Sequence, residues 1–185
     1  MKKILFSFLI IASSLATSSC KHDPDLPFPD TKEYPQIFTT VSTENSFKLA
    51  EVQGSGNAMA RFDIAVGGGD VNSVESIEIY RTFIGFNVPS TPAGLAVGVG
   101  GPTVLLRTVP PTSGTIEVSI TDLIPGLTRA TGPSQGGNRV ALTRASLRAG
   151  EGFRFTYALL LKDGTRITFN PSFLNAPFAG FLFIQ

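Results

Sequence analysis

Apolar and polar residues alternate along much of the chain beyond residue 35, and this alternation predicts β-strands. Residues 59–66 show the pattern well: Phe62, Ile64 and Val66 lie two apart, with charged or small residues between them. Successive side chains of a strand point to opposite faces, so this spacing places the three apolar side chains on one face. The segment is therefore predicted to be a half-buried strand.

Residues 75–83 have the clearest strand pattern of the chain. Ile77, Ile79 and Arg81 share the face that is predicted to point inward. The opposite face carries Glu78, Tyr80 and Thr82. Because Arg81 is charged, we expect it to mark the point where the strand leaves the core.

Several further runs have β-type composition. They cover residues 36–42, 46–52, 104–109, 114–120, 153–161, 166–170 and 180–185. The chain contains 19 Gly and 13 Pro, many of them in the turns between these runs. Many short strands between such turns predict one all-β domain, either a sandwich or a partly open barrel, over residues 36–185.

The connections between the strands are predicted from their turn residues. Asp163-Gly164 is expected to form a two-residue hairpin turn, because Gly accepts a positive φ. One helical turn is expected at residues 121–127, with Thr121 or Asp122 as its cap, and another at residues 142–147. Residues 84–103 and 129–140 are rich in Gly and are expected to be loops.

The first 19 residues have the layout of a secretory signal peptide. Lys2 and Lys3 precede an apolar stretch at residues 4–12, and small polar residues follow at 13–19. A transmembrane helix needs about 20 apolar residues, so this stretch is too short to be one. We expect it to direct export.

Cys20 follows this segment and is the only cysteine of the chain. The small residues Ser18 and Ser19 before it resemble the cleavage site of bacterial lipoproteins, although Thr17 stands where that motif prefers Leu. The resemblance implies that Cys20 is acylated and anchors the protein in a membrane through its lipid. The alternative is a secreted protein with one unpaired cysteine.

Residues 20–35 are predicted to form a flexible tether. They combine prolines and charges with too little apolar surface to form a core. Lys21, Asp23 and Asp25 resemble the surface-export signals of Bacteroidota lipoproteins, and a simply solvated linker is the alternative. His22, the only histidine, belongs to this tether.

The charge balance argues against nucleic acid as a partner. The chain has 15 basic and 14 acidic residues, and loss of Lys2 and Lys3 with the signal peptide leaves 13 against 14. Nucleic-acid binding usually needs a basic surface. Residues 21–78 are acidic and 129–166 mostly basic, which favours two halves that pair across one fold.

The residues needed for catalysis are missing from the predicted domain. A nucleophile needs a base such as His, and a zinc site needs Cys or His ligands, but Cys20 and His22 both precede the domain. A glycosidase needs two carboxylates in one cleft. Glu75 and Glu78 lie on opposite faces of a strand. Asp63 and Glu117 could meet across strands, but exposed acids on strands are common and usually only solvate a face. We predict no enzyme and no cofactor.

A bound metal is not expected either. Asp70 with Asn72, or Asp163, could hold Ca²⁺ in a loop, but ordinary turn chemistry explains these residues as well. The stretch from Gly98 to Thr103 lacks the Lys-Ser/Thr pair of a phosphate-binding loop and precedes no helical pattern.

The candidate contact residues lie on the predicted strand at 75–83 and on the long loop. Apolar side chains of the loop either form a patch that contacts a partner or fold back over an open end of the sandwich. These loop candidates are Phe86, Leu95, Val97 and Val99. For glycan binding the first candidates are Tyr80 and Phe86, because aromatic rings offer a flat face to a sugar.

Four features of the sequence are taken together: a Ser-Cys start, an acidic Pro-rich tether, the strand "SIEIYRTF", and a Leu147-x-x-Gly150 turn before "FRFTYALLLKDGTRI". In these features the chain resembles small Bacteroidota lipoproteins of starch-utilisation-type nutrient uptake systems. The resemblance implies an immunoglobulin-like or fibronectin-type antiparallel β-sandwich at the outer membrane, on the cell surface or its periplasmic side. It also implies a non-enzymatic accessory or docking component beside a TonB-dependent transporter and its binding lipoprotein. An autonomous polysaccharide-binding module and a structural or adhesive subunit are the alternatives.

Overall fold

The alternating segments form the strands of two sheets that face each other. The structure is a computed structural model and describes residues 34–41, 46–86, 98–131, 138–168 and 180–185. All of these residues belong to one compact unit, Glu33–Gln185. The proposed signal peptide, Cys20 and most of the tether lie outside the described residues.

The smaller sheet has three antiparallel strands in the order β1-β3-β6. These are β1 (Gln36–Val41), β3 (Met59–Gly67) and β6 (Gly114–Ser119). Along β3 the buried positions alternate with exposed ones from Met59 to Ile64, as the sequence pattern predicted.

The larger sheet has the order β2-β11-β9-β4-β5, and β10 also pairs with β9. Its strands are β2 (Ser46–Phe47), β4 (Val74–Phe86), β5 (Gly98–Val109), β9 (Gly152–Leu161), β10 (Arg166–Thr168) and β11 (Gly180–Ile184). All pairs are antiparallel except β2 with β11. Both β10 and β11 pair with β9, one at each end of that strand.

The smaller elements connect these sheets. They are the helices α1 (Leu49–Gln53) and α2 (Ile120–Leu123), the 3-10 turns Val71–Ser73 and Arg144–Ser146, and a hairpin of β7 (Thr128–Ala130) and β8 (Arg139–Ala141). Among the described residues, no helix has the length and apolar character needed to cross a membrane.

The chain passes repeatedly between the two sheets, from β3 to β4, from β5 to β6 and from β6 to β9. Strands that follow one another at these points thus lie in facing sheets, which is the arrangement of a β-sandwich. The sequence prediction of an all-β antiparallel sandwich with short helical turns is confirmed.

Aromatic side chains from both sheets meet in the core. The ring of Phe62 on β3 lies 5.0 Å from that of Phe155 and 6.5 Å from that of Tyr157, both on β9. Ile77 and Ile79 on β4 are fully buried beside them. The inward positions predicted from the sequence therefore form the contact between the sheets.

Arg81 does not mark the end of the buried face of β4, contrary to the sequence prediction. The next inward residue, Phe83, is buried, and Arg81 itself is only 5% exposed. Its guanidinium donates hydrogen bonds to the carbonyl oxygens of Pro125, at 2.6 Å, and Leu105, at 3.3 Å. Backbone acceptors thus compensate the burial of this charge.

Residues 46–52 were predicted to be a strand, and this is wrong beyond Phe47. The chain turns into helix α1, where Val52 packs into the core with Leu49, one helical turn apart. Arg144 donates hydrogen bonds to the carbonyls of Val52, at 2.6 Å, and Glu51, at 3.0 Å. These bonds satisfy carbonyl groups that so short a helix leaves without partners.

Two predicted loops contain strands. β4 continues to Phe86 and β5 begins at Gly98, where the two strands pair, so part of the 84–103 segment is a hairpin. Within 129–140, β7 and β8 pair through Arg129 and Val140. Backbone groups make these ladders, so segments rich in Gly can form them without a side-chain pattern.

The predicted turns are partly confirmed. Gly164 has a φ of 83°, as the hairpin turn requires, and a 3-10 turn lies within residues 142–147. The helical turn near residue 121 also forms, but the predicted capping residue is wrong. Ser119, rather than Thr121 or Asp122, accepts the capping hydrogen bond from the Asp122 N–H at 3.0 Å.

Candidate functional site

A groove of about 240 Å³, open to solvent, lies on the outer face of the larger sheet. We call it the outer groove. Its lining includes Tyr80, Thr103, Arg154, Thr156, Arg166 and Thr168. These residues come from β4, β5, β9 and β10, and most occupy outward positions of an alternating pattern, so the sandwich itself brings them together.

Strand register fixes the order of side chains in the outer groove. Tyr80 on β4 lies opposite Thr156 on β9, and Thr82 lies opposite Arg154. On the other side of β4, Thr82 pairs with Thr103 of β5, and their hydroxyl oxygens are 2.8 Å apart. Hydroxyl groups therefore lie beside the aromatic ring and the guanidinium.

Glu78, Tyr80 and Arg166 form a hydrogen-bonded set at one end of the groove. The Tyr80 hydroxyl and Arg166 Nε both donate to Glu78 Oε2, each at 2.8 Å. Arg166 Nη2 also donates to the Tyr80 hydroxyl oxygen at 2.7 Å, and the guanidinium carbon lies 5.5 Å from the centre of the Tyr80 ring. Arg166 thus holds both of the other side chains.

The ionisation of this set follows from its contacts. Partial burial acts to raise the pKa of Glu78, but hydrogen bonds from Tyr80 and Arg166 and the charge of Arg166 lower it overall. Partial burial and the hydrogen bond to Glu78 raise the pKa of Tyr80. At neutral pH Glu78 is therefore an ionised hydrogen-bond acceptor, and Tyr80 keeps its proton.

Arg154 lines the outer groove on β9. Its Nε is shielded from solvent and has no hydrogen-bond partner among the described residues. Within the part of the chain that the structure describes, no ion pair includes this guanidinium. Arg154 therefore brings a charge to the groove that no described residue neutralises.

Two phenylalanines extend the same face at β11. Phe181 lies opposite Arg154 and Phe183 opposite Gly152, so both point to the side of the outer groove. Their rings are stacked, with centres 6.1 Å apart and planes 15° apart, and they are 40% and 47% exposed. We call this pair the aromatic platform.

The predicted contact residues are not gathered into one site. Tyr80 lines the outer groove. Phe86 is six residues further along β4, roughly 20 Å away at about 3.3 Å per residue, and it lies against Gly150. Val99 belongs to β5, although its side chain is not among those described. Leu95, Val97 and Cys20 lie outside the described residues.

Sequence reasoning missed the aromatic platform and Arg154. Residues 180–185 were predicted only as a strand, with no outward face, and Phe181 and Phe183 on it are exposed. Every residue of β11 except Gly180 is large and apolar, so no alternation showed which side chains point outward. In β9, alternation with the buried Phe153 and Phe155 could have placed Arg154 outside.

The carboxylates considered for chemistry have other partners. Glu117 forms an ion pair with Arg61 at 2.9 Å, while Asp63 accepts a hydrogen bond from Thr115 at 2.6 Å, so these two acids do not face each other. Asp70 accepts a hydrogen bond from the Asn72 N–H at 3.1 Å, which is ordinary turn chemistry. The described residues contain no group of three potential metal ligands.

Comparison with known proteins adds little to this description. No protein-family model and no curated protein matches the sequence. A solved structure, the sporulation control protein Spo0M from Bacillus subtilis, aligns with a TM-score of 0.33 and 7% identity over 82% of this chain. The alignment spans 49% of the Spo0M chain. This score is too low to support an argument about fold or function.

Proposed function

We propose that this protein is a non-enzymatic, lipid-anchored outer-membrane protein that binds glycan on the outer face of its larger sheet. It would act as an accessory component of a nutrient-uptake assembly, held to the membrane by Cys20 and the tether. The lipoprotein-like start and the family resemblance support the location. The outer groove and the aromatic platform support the binding activity.

The observation that carries the proposal is the combination of side chains on one open sheet face. Sugars present hydroxyl groups at their edges and C–H groups on their faces. The groove offers hydroxyls from Thr103 and Thr156 to the edges, and Glu78 offers an ionised acceptor. The platform offers exposed aromatic faces for stacking. An open groove also suits a polymer that extends beyond it.

Affinity electrophoresis tests the proposal. The full-length protein, solubilised in mild detergent, is run through gels that contain each of a panel of polysaccharides. At least one polysaccharide should retard it. The double variant Phe181→Ala/Phe183→Ala should then lose most of the retardation. Phe38→Ala is the matched control, because Phe38 is a similarly exposed phenylalanine on the other sheet.

Two results would contradict glycan binding. Unchanged migration through the whole panel would show that the open face has no affinity for polysaccharide. Equal retardation of the double variant and of Phe38→Ala would show that the aromatic platform takes no part.

A docking role is the second candidate, and the edge of the larger sheet favours it. β5 pairs only with β4 among the described strands, and its exposed Leu105 offers an apolar contact. Edge strands with unpaired backbone groups readily bind partners. Co-purification of a TonB-dependent transporter with the wild type, reduced by Leu105→Lys, would support this role. Equal recovery with both proteins would argue against it.

A further inference from the structure

We infer that the outer groove selects glycans that carry an acidic group, a carboxylate or a sulfate, and that Arg154 binds this group. The inference rests on the proposed glycan binding and adds the class of ligand. It is carried by a guanidinium that lies on a solvent-facing sheet with no ion-pair partner among the described residues, beside hydroxyl groups and exposed aromatic rings.

The guanidinium of Arg154 has hydrogen-bond donors that a ligand can use. A guanidinium has five N–H donors in a planar fork that matches the two oxygens of a carboxylate or a sulfate. Arg154 is partly buried and lines the open groove, and none of the described residues pairs with its charge. Its guanidinium can therefore donate to an oxygen that a ligand supplies in the groove, and such charge-assisted hydrogen bonds are the stronger ones.

Glu78, the acid beside the outer groove, does not neutralise the charge of Arg154. Glu78 lies opposite Ala158, four residues along β9 from Arg154. This is roughly 13 Å at about 3.3 Å per residue. The carboxylate of Glu78 already accepts hydrogen bonds from Tyr80 and Arg166. The groove therefore keeps a net positive charge at Arg154, which attracts an acidic ligand and not a basic one.

Arg154 lies between the two kinds of sugar contact. One row of paired residues crosses four strands: Thr103, Thr82, Arg154 and Phe181. This row is roughly 14 Å long at about 4.8 Å between strands. A ligand that stacks on Phe181 and reaches the exposed hydroxyl of Thr103 must pass over Arg154. An acidic group on such a ligand would meet the guanidinium directly.

Matched pairs of oligosaccharides test the inference with the full-length protein in mild detergent. An oligogalacturonide and its methyl ester have the same sugar backbone, and esterification removes the negative charge of the carboxyl groups. A sulfated galactan oligosaccharide and its desulfated form give the same comparison for sulfate. Titration calorimetry with all four should show at least tenfold tighter binding of one or both acidic members, and added salt should weaken that preference.

Variants of Arg154 separate the preference for an acidic group from glycan binding as such. Arg154→Gln should reduce the ratio of the two affinities, acidic over uncharged, by about tenfold or more, because hydrogen bonds to charged groups are the stronger ones. Arg154→Lys, which keeps the charge but not the fork, should be intermediate. Arg61→Gln is the control, because Arg61 is an exposed arginine on the other sheet. Far-UV circular dichroism checks that each variant is folded.

The outcomes are distinct. A preference for the acidic member that Arg154→Gln abolishes supports the inference, and the pair that shows it identifies carboxylate or sulfate as the group. Equal binding within both pairs, or a preference that survives Arg154→Gln, overturns the inference and leaves glycan binding intact. Lack of binding to any glycan, in this experiment and in the polysaccharide panel, overturns both.

Discussion

Tyr157 is a polar group that the core contains without an evident partner. Its ring packs against Phe62, its hydroxyl is buried, and no hydrogen-bond partner for that hydroxyl lies in the described parts of the chain. Burial raises the pKa of Tyr157 strongly, so the hydroxyl stays protonated across the accessible pH range. The ring thus accounts for the stability that this residue contributes.

We therefore predict that Tyr157→Phe leaves the free energy of unfolding unchanged or raises it by up to about 1 kcal/mol. Removal of a buried hydroxyl without a partner relieves a desolvation cost. Urea denaturation followed by circular dichroism measures the change. A loss of stability of more than about 1 kcal/mol would show that the hydroxyl has a partner after all.

The buried ion pair between Arg129 and Glu151 behaves differently, because its groups have partners on several sides. The Glu151 carboxylate accepts hydrogen bonds from Arg129, from the Arg148 N–H at 2.8 Å and from the Phe86 N–H at 3.3 Å. Arg129 also lies over the ring of Phe83, 5.1 Å from its centre. The pair joins β7 and β4 to the turn before β9.

Glu151→Gln should lower the free energy of unfolding by about 3 kcal/mol, because it leaves the buried charge of Arg129 without its counter-charge. Glu117→Gln is the matched control. Its partner Arg61 is exposed, and exposed pairs contribute about 1 kcal/mol or less. Chemical denaturation of the two variants side by side gives the comparison. Equal losses would mean that burial of the Arg129–Glu151 pair has no effect on its contribution.

At the scale of elements, the contact between β9 and β11 depends on a residue without a side chain. A Cβ atom placed on Gly152 would collide with the carbonyl group of Leu182 on β11. Backbone cannot move aside as the end of a flexible side chain can. The close approach of these two strands therefore requires glycine at position 152.

Gly152→Ala should thus destabilise the domain by about 2 kcal/mol or more, within the range of substitutions that force backbone to move. It should also increase hydrogen exchange in β11. Gly114→Ala is the control, since a Cβ there meets nothing within 4 Å. Thermal denaturation and hydrogen exchange by mass spectrometry measure both effects. Similar behaviour of the two variants would show that β11 can shift freely.

A second element-scale contact depends on pH. Glu78 on β4 and Arg166 on β10 are joined across β9, and the pKa of Glu78 is lowered from its ordinary value of 4.5. A lowered pKa in the folded state means that the ionised form stabilises the fold. The contribution is therefore fully present above pH 4.5 and is lost as the pH falls through the lowered pKa.

Glu78→Gln should accordingly flatten the dependence of stability on pH below 4.5 and have a smaller slope than the wild type. The midpoint of urea denaturation at several acidic pH values measures the slope. Glu75→Gln, which removes an exposed carboxylate of the same strand, should keep the wild-type slope. If both variants have the wild-type slope, Glu78 does not stabilise the fold through its charge.

At the scale of the whole molecule, the proposed anchor determines where the binding face can act. We predict that Cys20→Ser moves the protein from the membrane fraction to the soluble fraction and abolishes incorporation of labelled palmitate. The serine hydroxyl is a much weaker nucleophile than a thiolate, so the variant should not be acylated. It then lacks the acyl chains that anchor a protein by about 0.8 kcal/mol per buried CH₂. Continued membrane association of the variant would point to another anchor.

The sequence predicted the fold class well, because a sandwich needs only alternating strands and turn residues. Ile77, Ile79 and Phe62 repeat with a period of two, and each lies in the core as predicted. The period of two predicted the wrong element at helix α1. The carbonyl of Val52 at the end of this helix accepts a hydrogen bond from Arg144, which comes from a distant part of the chain. The period also failed for the loop strands β7 and β8, whose backbone pairing leaves no alternation of apolar side chains to detect.

The candidate site was less accessible to sequence reasoning. Tyr80 was predicted to be a contact residue because its ring offers a flat face to a sugar, and it lines the outer groove. Its partner Arg166 is 86 residues away in sequence, and the platform at Phe181 lies on a strand whose apolar residues show no alternation. Which strands are neighbours decides what such residues contact, and that information is not local.

The sequence alone therefore determined the strand pattern, the sandwich class and the signal that predicts export and lipid attachment. Each of these depends on residues that are close together in the chain. Only the tertiary structure decided that Arg154, Tyr80 and the aromatic platform share one face. It also decided that Glu78 is paired with Arg166, while no acid among the described residues pairs with Arg154. Strand order and register set these relations, because they bring distant segments to within about 5 Å of one another.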